Sequence, residues 1–150
     1  MTDGITIRAF EERDTEAVVA LWERCRLTRP WNDPRKDIAR KLRVQRELFL
    51  VAERGGAVIG SVMAGYEGHR GWVNYLAVDP SVRRAGLGRR LMREVEVRLR
   101  ALGCPKLNLQ VRRDNLAALG FYAALGYLDD DSVSLGKRLE HDEPGASGGG

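Results

Sequence analysis

Cysteine is scarce. It occurs twice, as Cys25 and Cys104, which is too few for a disulfide framework and points to a reducing, cytoplasmic setting. Histidine also occurs twice, and no His/Cys cluster has metal-ligand spacing, so no metal site is expected. No apolar run approaches the roughly 20 residues that cross a bilayer. Met1-Thr2-Asp3-Gly4 lacks the basic and then apolar pattern of a secretory leader. Neither sign of charge dominates. Lys plus Arg is 25 against 21 for Asp plus Glu, a net +4 carried almost wholly by arginine. That excess suits an anionic small ligand as well as nucleic acid. Internal repeats and linkers are absent as well.

What remains is an ordinary globular composition. The 150 residues are 43% hydrophobic and 31% charged, enough to build one core and too apolar for a disordered chain. A single domain over residues 1–140 is expected, with a flexible tail over residues 141–150, where glycines follow Pro144.

Two hydrophobic periods alternate along the chain. Ile5 to Phe10 reads as a strand. Asp14 then starts a helix with Val18, Leu21, Trp22 and Cys25 at helical spacing. Arg29-Pro30-Trp31-Asn32-Asp33-Pro34 is a stiff loop, because each proline fixes φ and restricts its predecessor. A second helix is predicted from Pro34 to Arg46 with Ile38, Leu42 and Val44 inward. Phe49–Glu53 and Val58–Met63 read as strands around a Gly55-Gly56 hairpin turn, and Trp72–Val78 as a fourth. These central strands are apolar on both faces, so layers should cover both sides. A long helix is predicted from Gly86 to Leu102, stopped by Gly103 and Pro105. A fifth strand should span Leu107–Val111. A short helix, capped by Asp114, should run to Leu125, and a last strand region should extend from Tyr127 through Leu139.

Chemistry is most concentrated in Val82-Arg83-Arg84-Ala85-Gly86-Leu87-Gly88-Arg89-Arg90-Leu91, between a strand and the long helix. Two glycines let N–H groups face outward at a helix start, where the dipole favours an anion. Arg83, Arg84 and Arg89 add forked donors suited to phosphate oxygens. A P-loop is ruled out because Arg89-Arg90 follows Gly88, and a dinucleotide fingerprint because Leu91 occupies its third small position. The loop reads equally as a pyrophosphate cradle or as a glycine-rich helix start with solvated arginines. Downstream, Asn115 sits where it can reach a ligand or cap a helix. Phe121 and Tyr122 are adjacent, so they are not expected to face the core together. Tyr122 reads as a proton donor to a leaving anion or as a boundary tyrosine.

Taken in order, Leu76-Ala77-Val78, Arg83-x-x-Gly86-x-Gly88, Asn115, Phe121-Tyr122 and Gly126-Tyr127 resemble the GNAT superfamily of acetyl-CoA-dependent N-acetyltransferases. The resemblance covers Ile5 to about Leu139. Leu21–Cys25, Arg29–Pro34, Gly65–Gly71 and Ser134–Leu139 also resemble the bacterial YpeA-type subgroup. The resemblance implies an α+β, three-layer fold: a mixed, mostly antiparallel sheet of six to seven strands with helices on both faces. It implies coenzyme A pyrophosphate on Arg83, Arg84, Ala85, Gly86, Leu87, Gly88 and Arg89. The pantetheine would lie along Leu76, Ala77 and Val78, in a splay between strands four and five. A bulge in strand four would aim an amide at the thioester carbonyl. Asn115 and Phe121 would contact the cofactor, and Tyr122 would protonate the departing thiolate after direct attack by a neutral amine.

Many relatives carry a basic glutamate on strand four, where this chain has Trp72, Val73, Asn74 and Tyr75. Glu67 and His69, in the preceding turn, are the candidate bases, with a plain surface loop as the equal alternative. Trp31, Asn32 and Asp33 are a candidate acceptor wall, or Trp31 simply covers the core edge. The acceptor would be an amine on a small molecule or a protein, with no nucleic-acid or membrane partner and a homodimer permitted. Two competing readings are a non-catalytic acyl-CoA sensor on the same scaffold and a nucleic-acid-binding domain. Glu94 and Glu96 among the helix arginines oppose the latter.

Overall fold

A computed structural model of the chain describes residues 3–83 and 86–142. Five strands form one sheet in the order β1 (Ile5–Ala9), β2 (Phe49–Arg54), β3 (Ala57–Tyr66), β4 (Gly71–Val78) and β5 (Leu107–Leu109). The first four are antiparallel neighbours, and β5 lies parallel to β4. A parallel joint requires a crossover, which α3 (Leu87–Ala101) supplies. Gly55 and Gly56 turn β2 into β3 at φ +59° and +81°, a region glycine enters without a Cβ clash.

Both faces of the sheet are covered, which is why Phe49, Leu50, Val51 and Ala52 are all buried. Leu50, Ala52, Val62 and Val73 pack with Leu87, Leu91, Met92, Val95 and Leu99 of α3. Phe49, Val51 and Ala77 pack on the other face with Val18, Leu21 and Trp22 of α1 (Thr15–Arg24) and Ile38 of α2 (Pro34–Lys41). Each buried aliphatic side chain contributes about 2 kcal/mol. α3 crosses β3 at Gly60, where an added Cβ would lie 3.1 Å from both Leu87 Cδ2 and Leu91 Cδ1 and 3.3 Å from the Ala77 carbonyl. α4 (Leu116–Ala124) closes the chain's regular structure on the α3 side.

Several expectations are corrected. The sheet has five strands rather than six to seven. From Tyr127 to Asp142 the described residues join no ladder, and Leu128, Val133, Leu135 and Leu139 are 80–90% exposed. Asp129-Asp130-Asp131 sets three like charges side by side, and Asp131 turns to φ +53°, which interrupts an extended run. Polar contacts hold this strap instead: Lys106 Nζ to Asp130 at 2.7 Å, Gln110 to Ser134, and Arg138 to Asn32. α2 ends at Lys41, not Arg46. Lys41 turns inward to donate to the Ala64 carbonyl, Gln45 adopts φ +51°, and Val44 is exposed. The cap of α4 is Asn115, whose Oδ1 accepts the Ala118 N–H, not Asp114. Phe121 and Tyr122 do share one side: both pack on the α3-face core with ring centroids 5.0 Å apart. Asp142, at the start of the expected tail, is buried, and residues 143–150 lie outside the described residues.

Candidate active site

The ladder between β3 and β4 breaks once. Asn74 pairs with Met63 and Ala77 with Ser61, so Tyr75 and Leu76 together oppose Val62. This is a β-bulge, and Tyr75 takes φ +54° to make it. The bulge resets which way side chains face. Val73 and Leu76 join the α3-side core, whereas Tyr75 and Ala77 pack toward α1 and α2. Asn74 shares the face of its partner Met63, so Asn74 and Tyr75 lie consecutively on the α1–α2 side.

Three interactions hold Tyr75 in this uncommon conformation. Its ring stacks on Trp22 at 3.8 Å between centroids and 9° between planes. Its hydroxyl donates to Asp37 Oδ2 at 2.6 Å. Its carbonyl accepts from Ser61 Oγ at 3.2 Å, and that oxygen accepts from Trp22 Nε1 at 2.9 Å. Burial, reinforced by the Asp37 carboxylate, pushes the Tyr75 phenol well above the ordinary tyrosine range.

On its other edge β4 meets β5 only over Gly71–Val73, paired with Leu107–Leu109. Past that point the ladder ends, so the backbone edge from Leu76 to Val78 has no strand partner on that side among the described residues. Ala77 is buried, and the Val78 carbonyl accepts the Cys25 thiol at 3.3 Å. The start of α3 and the Phe121–Tyr122 pair of α4 lie on the α3 side. Gly88 is what lets them approach: a Cβ there would sit 3.1 Å from Phe121 Cζ. Burial raises the Tyr122 phenol to about 12, and its hydroxyl has no hydrogen-bond partner among the described residues. A neutral phenol can give a proton to a departing anion.

α3 begins at Gly86, which caps it at φ +75° with open space where a Cβ would stand. The first-turn N–H groups of a helix have no partners within it. Arg83 and Arg89 are exposed, while the Leu87 side chain is buried and leaves only its backbone to the loop. Arg84 and Ala85 fall outside the described residues.

Other candidates sit elsewhere. Glu67 Oε1 accepts the His69 and Arg70 N–H groups, which closes the β3–β4 turn and holds its carboxyl below the usual carboxylate range. Glu67 and His69 are exposed, and the bulge lies four residues beyond Gly71, about 13 Å along the strand. Neither is brought to Tyr122 or the bulge. Asn115 Oδ1 serves its cap, which leaves the Nδ2 donors of the same amide. Asp33 caps α2 by accepting the Arg35 N–H at 2.9 Å, Asn32 accepts from Arg138, and Trp31 is 43% exposed. Asp142 fastens the strap beside this loop: it accepts from the Asp33 N–H at 3.0 Å and from Arg40 at 2.6 Å. Among the described residues no group of three or more His, Cys, Asp or Glu side chains could hold a metal ion, and no helix is long and apolar enough to cross a membrane.

The acetyltransferase (GNAT) family matches residues 10–127. The chain belongs to this family. An acetyltransferase of Yersinia enterocolitica is 53% identical over 137 residues, covering 91% of this chain and 97% of the relative. Among solved structures, Ard1 from Thermoplasma volcanium superposes with a TM-score of 0.76 at 28% identity, covering 83% of each chain. The ribosomal-protein-S18-alanine N-acetyltransferase from Escherichia coli gives 0.68 at 27% identity, covering 81% of this chain and 76% of that one. The GNAT chain is thus an acyltransferase, and acetyl-CoA is the co-substrate its family uses. The open Gly86 and the close approach at Gly88 fit such a ligand.

Sequence reasoning missed Tyr75, Asp37 and Ser61. One signal was available: Asn74-Tyr75 sets two hydrogen-bonding side chains together in an otherwise alternating strand. Nothing local pointed to Asp37 or Ser61, whose parts depend on tertiary contacts.

Proposed function

We propose that this chain moves an acetyl group from acetyl-CoA to a primary amine by direct attack in a ternary complex, with no acyl-enzyme. The observation carrying the reading is the end of the β4–β5 ladder at Val73–Leu109, beside the Tyr75–Leu76 bulge and on the face where Tyr122 is buried. Acetyl-CoA supplies an activated thioester, and the chain's residues supply position and charge. The N–H groups of the Gly86–Arg89 turn, with Arg83 and Arg84, hold the pyrophosphate. The backbone from Leu76 to Val78 guides the pantetheine, and Phe121 flanks it. The Leu76 N–H stabilises charge that builds on the thioester oxygen. Tyr122, neutral until about pH 12, protonates the departing sulfur.

The acceptor approaches on the opposite side, over Asn74 and Tyr75, with Trp31 as an exposed wall. Asp37, tied to the bulge by Tyr75 and paired with Arg40, borders that approach. The amine attacks in its neutral form, and the proton its nitrogen sheds on acylation balances the one Tyr122 gives to sulfur. Holding two reactants in register while excluding water is where most of the rate comes from. The test is stabilisation by acetyl-CoA but not by ATP or NAD, followed by free-thiol release across an amine panel. Likeness to the S18-alanine acetyltransferase puts a peptide N-terminal amine in that panel. Absence of stabilisation by acetyl-CoA overturns the reading.

A further inference from the structure

The bulge amide is only as useful as its direction is fixed, and β-bulges lack the ladder that normally fixes it. Neither Tyr75 nor Leu76 has a register partner of its own on β3, and the β5 ladder stops short of both. Yet the peptide between them is gripped from one side. Trp22 Nε1 donates to Ser61 Oγ at 2.9 Å, and Ser61 Oγ donates to the Tyr75 carbonyl at 3.2 Å. Trp22 and Ser61 are both fully buried, so this relay is shielded from water. A hydroxyl with one proton and an indole N–H admit one polarity here: indole to hydroxyl to carbonyl.

Peptide planarity does the rest. All described peptide bonds are trans, and in a trans unit the C=O and the following N–H point in opposite directions. Turning the Tyr75 carbonyl toward Ser61 on the α1 side turns the Leu76 N–H away from it, toward the strand edge that β5 leaves unpaired. The stack of Tyr75 on Trp22 holds the same unit from its side chain.

We infer that Ser61, oriented by Trp22, is a positioning residue that fixes the Tyr75–Leu76 peptide so that its N–H faces the reacting carbonyl. The inference rests on the acetyl-transfer reading of the site, and it adds residues with no direct contact to either reactant. The relay acts on the transition state more than on binding, because charge on the thioester oxygen grows as the amine attacks. Its signature is a loss in kcat with KM for acetyl-CoA nearly unchanged.

Ser61→Ala removes the link while leaving a small side chain in place. Removing an oxyanion donor outright costs about 10²–10³ in kcat. Loosening one should cost about tenfold to a hundredfold, with KM for acetyl-CoA within about twofold. Ser61→Thr, which keeps the hydroxyl, should restore most of the rate. A carbonyl-labelled acetyl-CoA read by infrared spectroscopy gives a view independent of turnover. Its bound C=O band should lie below that of free acetyl-CoA in the wild type and move back toward it in Ser61→Ala. Coenzyme A, which has no thioester carbonyl, should bind both proteins alike.

Wild-type kcat and an unmoved band in Ser61→Ala overturn the inference. So does an equal loss of coenzyme A binding and of rate, with no change in the band, since that is the mark of general damage. If the wild-type band matches free acetyl-CoA in saturated protein, the reading of the site itself falls, and the relay with it.

Discussion

The Tyr75 hydroxyl hydrogen-bonds Asp37 Oδ2 at 2.6 Å, so the one irregular point of β4 is tied to the first turn of α2. That bond joins the strand's bulge to the helix bordering the proposed acceptor side. Tyr75→Phe should lower stability by about 2 kcal/mol, the usual net worth of a hydrogen bond to a charged group. Burial and Asp37 raise the phenol's pKa in the folded chain. Its contribution is therefore complete below the ordinary tyrosine value near 10 and is lost as pH rises through the raised value. Thermal unfolding from neutral to alkaline pH should show wild type and Tyr75→Phe converging only at the alkaline end.

Tyr122→Phe should reduce kcat by about 10²-fold with little change in KM, the scale for loss of a general acid. The folded phenol keeps its proton to about pH 12. The wild-type rate should therefore show no falling limb from this group at ordinary assay pH. Steady-state kinetics across pH, paired with acetyl-CoA binding to the variant, checks both parts.

Gly88→Ala places a methyl 3.1 Å from Phe121 Cζ. The ring must yield, and the α3–α4 approach widens. Acetyl-CoA affinity should fall about tenfold, or 1.4 kcal/mol, while helix content stays constant. Calorimetric titration alongside circular dichroism separates the two.

Asp142→Asn should free the end of the strap. Arg40 and the Asp33 N–H hold the Asp142 carboxyl down at about 2. The latch is complete above the ordinary carboxylate range near 4 and is lost as pH falls through about 2. Limited trypsin digestion should cut after Lys137 or Arg138 sooner in Asp142→Asn than in the wild type.

Much of this was legible in the residues. Alternation gave the first and fifth strands and two-faced apolar runs the central three, and Gly86, Gly103 and Gly126 marked helix boundaries found at φ +75°, +84° and +94°. The loop before α3 announced itself because its signal is local. The signals that failed are tertiary. Whether Tyr127–Leu139 becomes strand depends on a neighbour, and its alternation was outweighed by three adjacent aspartates. Glu67 and His69 looked available because their residue types fit a base, yet the hairpin register carries them to the far end of β4. Asn115 was ambiguous between two uses of one amide; its Oδ1 takes the Ala118 N–H and its Nδ2 donors remain for a ligand. Trp22 was read correctly as core, but its indole proton had no address until Ser61 was beside it.

Gly60 sets a stand-off distance. With hydrogen in place of a methyl, α3 rests directly on β3, touching through Leu87 and Leu91 near the helix's first turn. The span from that turn to the kink in β4 is thereby built as a gauge of fixed length. On the acetyl-transfer reading proposed above, a co-substrate held at both ends would have to match it, and widening the gauge by one carbon would leave its reactive end short of its mark.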